Sequence, residues 1–264
     1  MDVVVNFDCQ FSPDPQCIIN GQFHYYQALF KCLGYSDGQL PVAELLRSYH
    51  GLKGQWFVVT PVHWQATHND AMLLSCDSAL NLNEDEARHF FGLFSRFAAE
   101  EGMQTYYHDA YTWMLQCDGK PMITASPPYQ MLHQSLFPYL KSIDSTLFWQ
   151  RFITEIQMLF HDQPIVNGVW IWGQGTLCAP SDRLLLVSSK KTQAIARILS
   201  THTDDFSNAK LNKNALLLFD SLSQDELLLL QTQLSRYSVN WYWNNIAYSS
   251  KPRSWFLRLI QREI

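Results

Sequence analysis

Charge is scarce in this sequence: Asp, Glu, Lys and Arg together make up 16% of its 264 residues, against 47% hydrophobic residues. Disorder needs the opposite balance, so the chain folds around a sizeable core. The formal net charge of −5 is spread without runs of one sign. With no basic stripe to neutralise successive phosphates, nucleic acid is not an expected partner. No apolar stretch reaches the ~18–20 residues that cross a bilayer, and no basic segment leads into an apolar one at the N-terminus. The expected location is therefore cytoplasmic. The six cysteines include no Cys-x-x-Cys pair, and a chain of this size is stable without staples, so they read as reduced thiols. Also missing are a Gly-x-Ser-x-Gly elbow, a Walker loop, a His-Glu-x-x-His pair and the kinase set, which removes the commonest enzyme signatures. No repeat or low-complexity tract appears.

What is present is aromatic: 14% of the chain, with nine tryptophans. The pattern predicts a single α/β domain over residues 1–264, a mixed, largely parallel sheet flanked by helices. Val3-Val4-Val5 reads as a short edge strand, and Ser12 to Pro15 as a loop. Helices are expected over Tyr25–Leu33 and Leu40–Leu46, the latter with proline in its first turn. Trp56–Thr60 and Ala71–Cys76 read as strands of a hairpin, joined by a polar loop holding His63 and His68. Asn83 with Glu86 forms a capping box for a helix whose Phe90, Phe94 and Phe97 share a face. Met103–Tyr107 and Trp113–Gln116 are strands. Pro121, Pro127, Pro128 and Pro138 mark an irregular connection over 121–139, the clearest internal boundary.

Beyond that connection, Phe148, Phe152, Ile156 and Leu159 define one face of a helix, and Val169–Trp172 a strand. Leu184–Val187, the helix Thr192–Leu199, Ala215–Phe219 and a leucine-rich helix opened by Ser223 and Glu226 continue a β-α-β order, which favours parallel pairing. Trp241–Trp243 reads as the last strand.

The candidate chemistry is thin. Gly173-Gln174-Gly175 follows a strand, where a phosphate loop would lie, but lacks a third glycine and a helix directly after it; a sharp turn that lets Trp170 and Trp172 pack is the plainer account. His63, His68 and Asp70 could ligate a metal or shuttle protons, yet their spacing fits no zinc template and a solvated loop accounts for them. His108-Asp109 and His161-Asp162 are neighbours in sequence and lack a third ligand, and Thr201–Asp205 reads as a polar connector. Trp255 to Ile264 suits an amphipathic helix that either docks on its own domain or offers Trp255 and Arg258 to a partner. No catalytic residue, metal ligand set or cofactor is assigned.

Glu155-Ile156-Gln157-Met158-Leu159 followed by Val166-Asn167-Gly168-Val169-Trp170 and Trp172-Gly173-Gln174-Gly175 resembles the RpfE-type, cofactor-independent phosphoglycerate mutase-like proteins of bacteria. Thr60-Pro61-Val62-His63 with Ala66 and Asp70 is similar to that family's Asp-Pro-Val-His-Leu segment, and Leu40 to Leu46 to its leucine-rich helix. Gly168 stands where the family has serine, and Gln174 where it has glycine. The resemblance implies a degenerate mutase-like α/β fold. Working mutases of the alkaline phosphatase-like superfamily hold two metal ions with Asp and His clusters and a hydroxyl nucleophile, and that set is not found. It therefore implies a catalytically silent scaffold or adaptor whose partners are other protein subunits of a bacterial complex. The chain is also similar to a subunit of type IVB secretion coupling complexes, which implies membrane association only through partners, at the inner face of the inner membrane. The alternative is a metal-dependent phosphotransferase or phosphatase with a diverged site at His63, His68, Asp70 and the Gly173 loop.

Overall fold

The computed structural model describes residues 1–252, apart from 12, 14–16, 22, 37, 39, 67–69 and 208–209. The candidates His68, Trp255 and Arg258, and the whole C-terminal amphipathic segment, lie outside the described residues. The chain divides into two compact units, residues 1–37 with 178–264 and residues 38–177, so the irregular connection at 121–139 lies inside the second.

The first unit opens with β1 (Asp2–Val5), β2 (Ile18–Gly21) and α1 (Tyr25–Cys32). The second unit supplies α2 (Val42–Tyr49), β3 (Trp56–Ala66), β4 (Ala71–Cys76), α3 (Glu84–Glu100), β5 (Thr105–Asp109), β6 (Thr112–Gln116), α4 (Phe137–Ser142), α5 (Phe148–Phe160) and β7 (Gly168–Trp172). The chain then returns to the first unit with β8 (Leu185–Val187), α6 (Lys190–Leu199), β9 (Thr203–Asp205), β10 (Leu216–Phe219), α7 (Gln224–Gln233), β11 (Val239–Tyr242) and β12 (Ala247–Ser250). The protein is thus a mixed α/β structure with two sheets.

In the first unit a seven-stranded sheet runs β2-β12-β11-β1-β10-β8-β9. β11, β1, β10, β8 and β9 are mutually parallel, and β12 and β2 are added antiparallel. β1 is not the edge strand that its shortness suggested. Val3, Val4 and Val5 are wholly buried between β10 and β11, as expected of an unbroken β-branched run in a parallel sheet covered on both faces. Arg183 fixes the start of this sheet: it donates to Asp2 Oδ2 at 2.5 Å, to the Cys32 carbonyl at the end of α1 at 2.5 Å and to the Asn214 carbonyl at 2.7 Å. The connector Thr201–Asp205 proved partly a strand, β9, and Trp241–Trp243 is followed by a further strand, β12, rather than closing the fold.

In the second unit every strand-to-strand pairing among the described residues is antiparallel, and β3 is the hub. Val58 pairs with both Met114 and Trp172, and Val62 with both Cys76 and Gly168. β6 and β4 therefore share one edge of β3 in succession, and β7 takes the other. Between β6, which reaches Val59, and β4, which begins at Val62, that shared edge has a gap. Asn167 N–H donates to Val62 O on the β7 side. Backbone groups alternate edges along a strand, so the position of the missing Pro61 donor faces the gap, where an interior strand tolerates proline. This lets β3 run to Ala66, and His63 lies within it, not in the loop the sequence suggested.

One face of this sheet carries Phe57, Val59, Trp113 and Ile171, packed against α3 and α5 through Phe57–Trp149, Phe94–Trp113 and Phe94–Phe152 contacts. The capping box at Asn83 and Glu86 opens α3 as its sequence indicates. α5 buries Trp149, Phe152, Ile153, Ile156 and Phe160. Leu159 is 47% exposed and does not share their face.

α5 begins on Asp144, which is only 8% exposed. Its carboxylate accepts from the Thr146 amide and hydroxyl and from the Trp149 amide, at 2.6, 2.6 and 2.9 Å. Burial pushes this carboxyl upward, but the hydrogen bonds from Thr146, Trp149 and Phe148 outweigh it and hold it below the usual carboxylate range. Because the folded value is the lower one, the stabilisation is complete above the unfolded value of about 3.9 and fades as pH falls through the lowered value. Asp144→Asn is expected to cost about 1–2 kcal/mol at neutral pH. In urea titrations followed by tryptophan fluorescence, the gap between variant and parent should close as the pH falls below the unfolded carboxylate value of about 3.9.

Candidate functional site

β7 ends at Trp172 and turns sharply at Gly173, whose φ is +85°. A Cβ there would stand 2.7 Å from Val58 Cγ2 and 3.4 Å from the Ala43 amide, so glycine is required by both backbone and space. The Gly173 carbonyl accepts from Ala43 N–H at the start of α2, at 3.1 Å. Gln174 follows, 8% exposed, with Nε2 donating to Ala125 O at 3.2 Å. Its Oε1 is buried with no partner among the described residues. Gly175, half-buried, continues the loop.

The two candidate tryptophans sit on the second face of the sheet with Val58, Thr60 and Val62. Trp172 Nε1 donates to Thr60 Oγ1 at 2.9 Å and Trp170 Nε1 to Ser126 O at 2.9 Å. Tyr129 stands edge-on to Trp172 with centroids 5.9 Å apart. Together with Gln174 these contacts lay the 121–130 stretch over β7. Further along, His133 N–H donates to Leu73 O and Leu136 N–H to Ala71 O, so β4 holds the rest of the connection.

At the other end of β7, Asn167 and Trp64 are locked together. Trp64 N–H donates to Asn167 Oδ1 at 2.8 Å, Asn167 Nδ2 to Trp64 O at 2.7 Å and Trp64 Nε1 to Asn167 O at 3.3 Å. A Cβ on Gly168 would lie 2.7 Å from that indole nitrogen. The serine expected at this position from the resemblance has no room beside Trp64.

His63 and Asp70 are not brought to the Gly173 turn. His63 pairs with Ser75 and precedes a bulge in β3; its odd position relative to Thr60 puts it on the opposite sheet face from Trp170 and Trp172. Its Nδ1 is buried without a partner among the described residues. Asp70 lies four to five residues further along the ladder, roughly 13–16 Å away. Its Oδ1 accepts from Ala71 N–H and Ser135 Oγ, each at 2.7 Å.

One arrangement was invisible in the sequence. His50, which ends α2, places Nε2 2.8 Å from Nδ1 of His108 on β5, and His108 Nε2 lies 3.6 Å from Asp109 Oδ2. Tyr106 and Tyr49 pack on these rings. Two ring nitrogens this close share one proton, so the pair is a hydrogen-bonded link between α2 and β5. Fifty-eight residues separate the partners, and nothing in local spacing announces them. His161 and Asp162 pair at 3.0 Å on the exposed end of α5.

All six cysteines are free. Burial raises the Cys76 thiol, with the Asp77 charge adding to it, and pushes Cys117 and Cys32 up to about 12. These three stay protonated at neutral pH and are poor nucleophiles. Among the described residues no group of three or more His, Cys, Asp or Glu is placed to hold a metal ion. No described helix is long and apolar enough to cross a membrane.

No family model matches the chain, and no curated protein matches it either. Among solved structures it is similar to a cofactor-independent phosphoglycerate mutase from Thermoplasma acidophilum DSM 1728, at 11% identity and a TM-score of 0.34, over 94% of this chain and 88% of that one. A similarity at that level assigns neither a reaction nor a site to this chain.

The local geometry sorts the glycines. Gly173→Ala, strained in φ and set against Val58, should lose about 2–4 kcal/mol. Gly168→Ser, which must displace the Trp64 indole, should lose about 1–3 kcal/mol. Gly92, inside α3 with open space around its Cβ position, should instead gain roughly 0.5–1 kcal/mol as alanine. Denaturant midpoints of the three variants test this ordering, and equal effects would refute it.

Proposed function

We propose that the protein is a non-catalytic scaffold or adaptor subunit of a bacterial cytosolic complex. The observation that carries this reading is how four of the candidate side chains are spent, although His63 Nδ1 and Gln174 Oε1 make no such tie among the described residues. The indoles of Trp170 and Trp172, the Gln174 amide and the Asp70 carboxylate each hold a neighbouring segment of the second unit. Groups committed to backbone carbonyls and amides at 2.7–3.2 Å in this way act as structural ties, whereas a phosphoryl-transfer site aims its donors at a substrate. Large apolar side chains are exposed elsewhere, among them Met122, Phe137, Leu228 and Leu229, and such residues anchor protein interfaces. The resemblance noted in the sequence makes a type IV secretion coupling complex the assembly to examine first.

The reading has two measurable consequences. The purified chain supplied with manganese or zinc should leave phosphoglycerate unchanged. Isolated from its native cell under mild conditions, it should co-purify with other subunits in fixed stoichiometry. Metal-dependent turnover, or recovery of the chain with no stable partner, would overturn the proposal.

A further inference from the structure

Helix α5 buries one face completely, and its opposite face has a symmetry of its own. Arg151, Glu155 and the Met158–Leu159 pair follow one another along the outward stripe at helical spacing, and Leu147 precedes them as the N-cap, with φ +63°. Leu147 is 60% exposed and Met158 68% exposed. From the N-terminal end of the helix to its middle an open groove of about 720 Å³ runs past Pro121, Leu147 and Phe148 and on past Gln150, Arg151 and Glu155. At the C-terminal end Met158 and Leu159 project outward. One end thus offers a recess in which Pro121, Leu147 and Phe148 lie next to Arg151, and the other an apolar projection.

Reversing the helix end for end about the level of Ile153 exchanges Phe148 with Met158 and Arg151 with Glu155, and brings Leu159 to the end that the N-cap Leu147 occupies. Apolar positions fall on apolar positions, and the cation falls on the anion. A surface that maps onto its own complement under a twofold rotation is what an isologous contact requires. Arg151 precedes Glu155 by four residues, the less favourable order for a pair within one helix, and their separation is 3.5 Å. Its other link, to Glu101, is 3.8 Å. Neither contact is tight enough to keep the guanidinium from an opposing carboxylate.

We propose that a second copy of this chain docks antiparallel along this stripe. Met158 and Leu159 of each copy enter the groove beside Leu147 and Phe148 of the other, and Arg151 of each meets Glu155 of the other. The stripe spans about 18 Å from Leu147 to Leu159, a small contact by the standards of specific interfaces, so association is concentration dependent, with a Kd on the order of 10 μM. This inference stands apart from the scaffold reading and needs no foreign subunit.

Sedimentation equilibrium of the full chain across about 1–200 μM tests it. The parent should pass from monomer to dimer over that range. Met158→Glu should weaken association at least about tenfold. Arg151→Glu and Glu155→Arg should each weaken it similarly by placing like charges across the axis, while an equimolar mixture of these two variants should recover a dimer containing one of each. Since all three positions face solvent, unchanged circular dichroism serves as the folding control. A parent that stays monomeric at 200 μM, a dimer indifferent to Met158→Glu, or a mixture no tighter than either charge variant alone would each overturn the proposal.

Discussion

A proline-broken segment leaves carbonyls without the donors that a regular element would supply, and buried carbonyls must find others. In the second unit this constraint organises much else. Pro121 O takes the indole N–H of Trp149, Ser126 O that of Trp170 and Ala125 O the amide of Gln174. Tryptophan suits the task because one side chain fills the core with its rings and carries a single donor at the rim. The abundance of tryptophan and the irregularity of residues 121–130 are two sides of one requirement: long aromatic donors reach out from α5 and β7 to carbonyls that no ladder can serve.

The same economy explains why the Gly173 turn is so tightly specified. Trp172 must end β7 on the Thr60 side of the sheet, and Gln174 must then reach Ala125. Only a sharp reversal between them allows both, and it brings the backbone against Val58 and Ala43. β3 in turn can serve two successive neighbours on one edge because Pro61 falls where neither claims a donor. What reads as a weakness in a strand is, at this place, a joint between β6 and β4.

Much of the architecture was legible. The boxes at Asn83 and Ser223 opened α3 and α7 because the capping chemistry is local, and β7 declared itself through an unbroken apolar run. β2, β9 and β12 were not legible: they are short and partly polar, and exist as strands because β12, β8 and β11 respectively pair with them. The sequence reads His63 into a polar loop between two strands; its place in β3 depends on Pro61 facing the gap between β6 and β4, a tertiary fact. Leu159 was placed on the inner face of α5 from spacing alone, whereas the helix buries Phe160 instead. The Gly173 loop was located correctly, and its neighbours Ala125, Ser126 and Tyr129 were hidden by more than forty residues of separation.

The central position of β1 has a consequence for how the molecule is made. Its two partners, β10 and β11, pair Asp2 with Leu216 and Asn240, so more than two hundred residues must be synthesised before the first of them exists. At ribosomal speeds of about 5–20 residues per second this is a wait of roughly 10–40 s. Every strand of the second unit has its partners within that unit and can close during the interval. During that wait Val3, Val4 and Val5 have neither ladder partner, while the strands of the second unit already have theirs. Both edges of that short strand stay open until residues beyond 216 and 240 arrive to cover them.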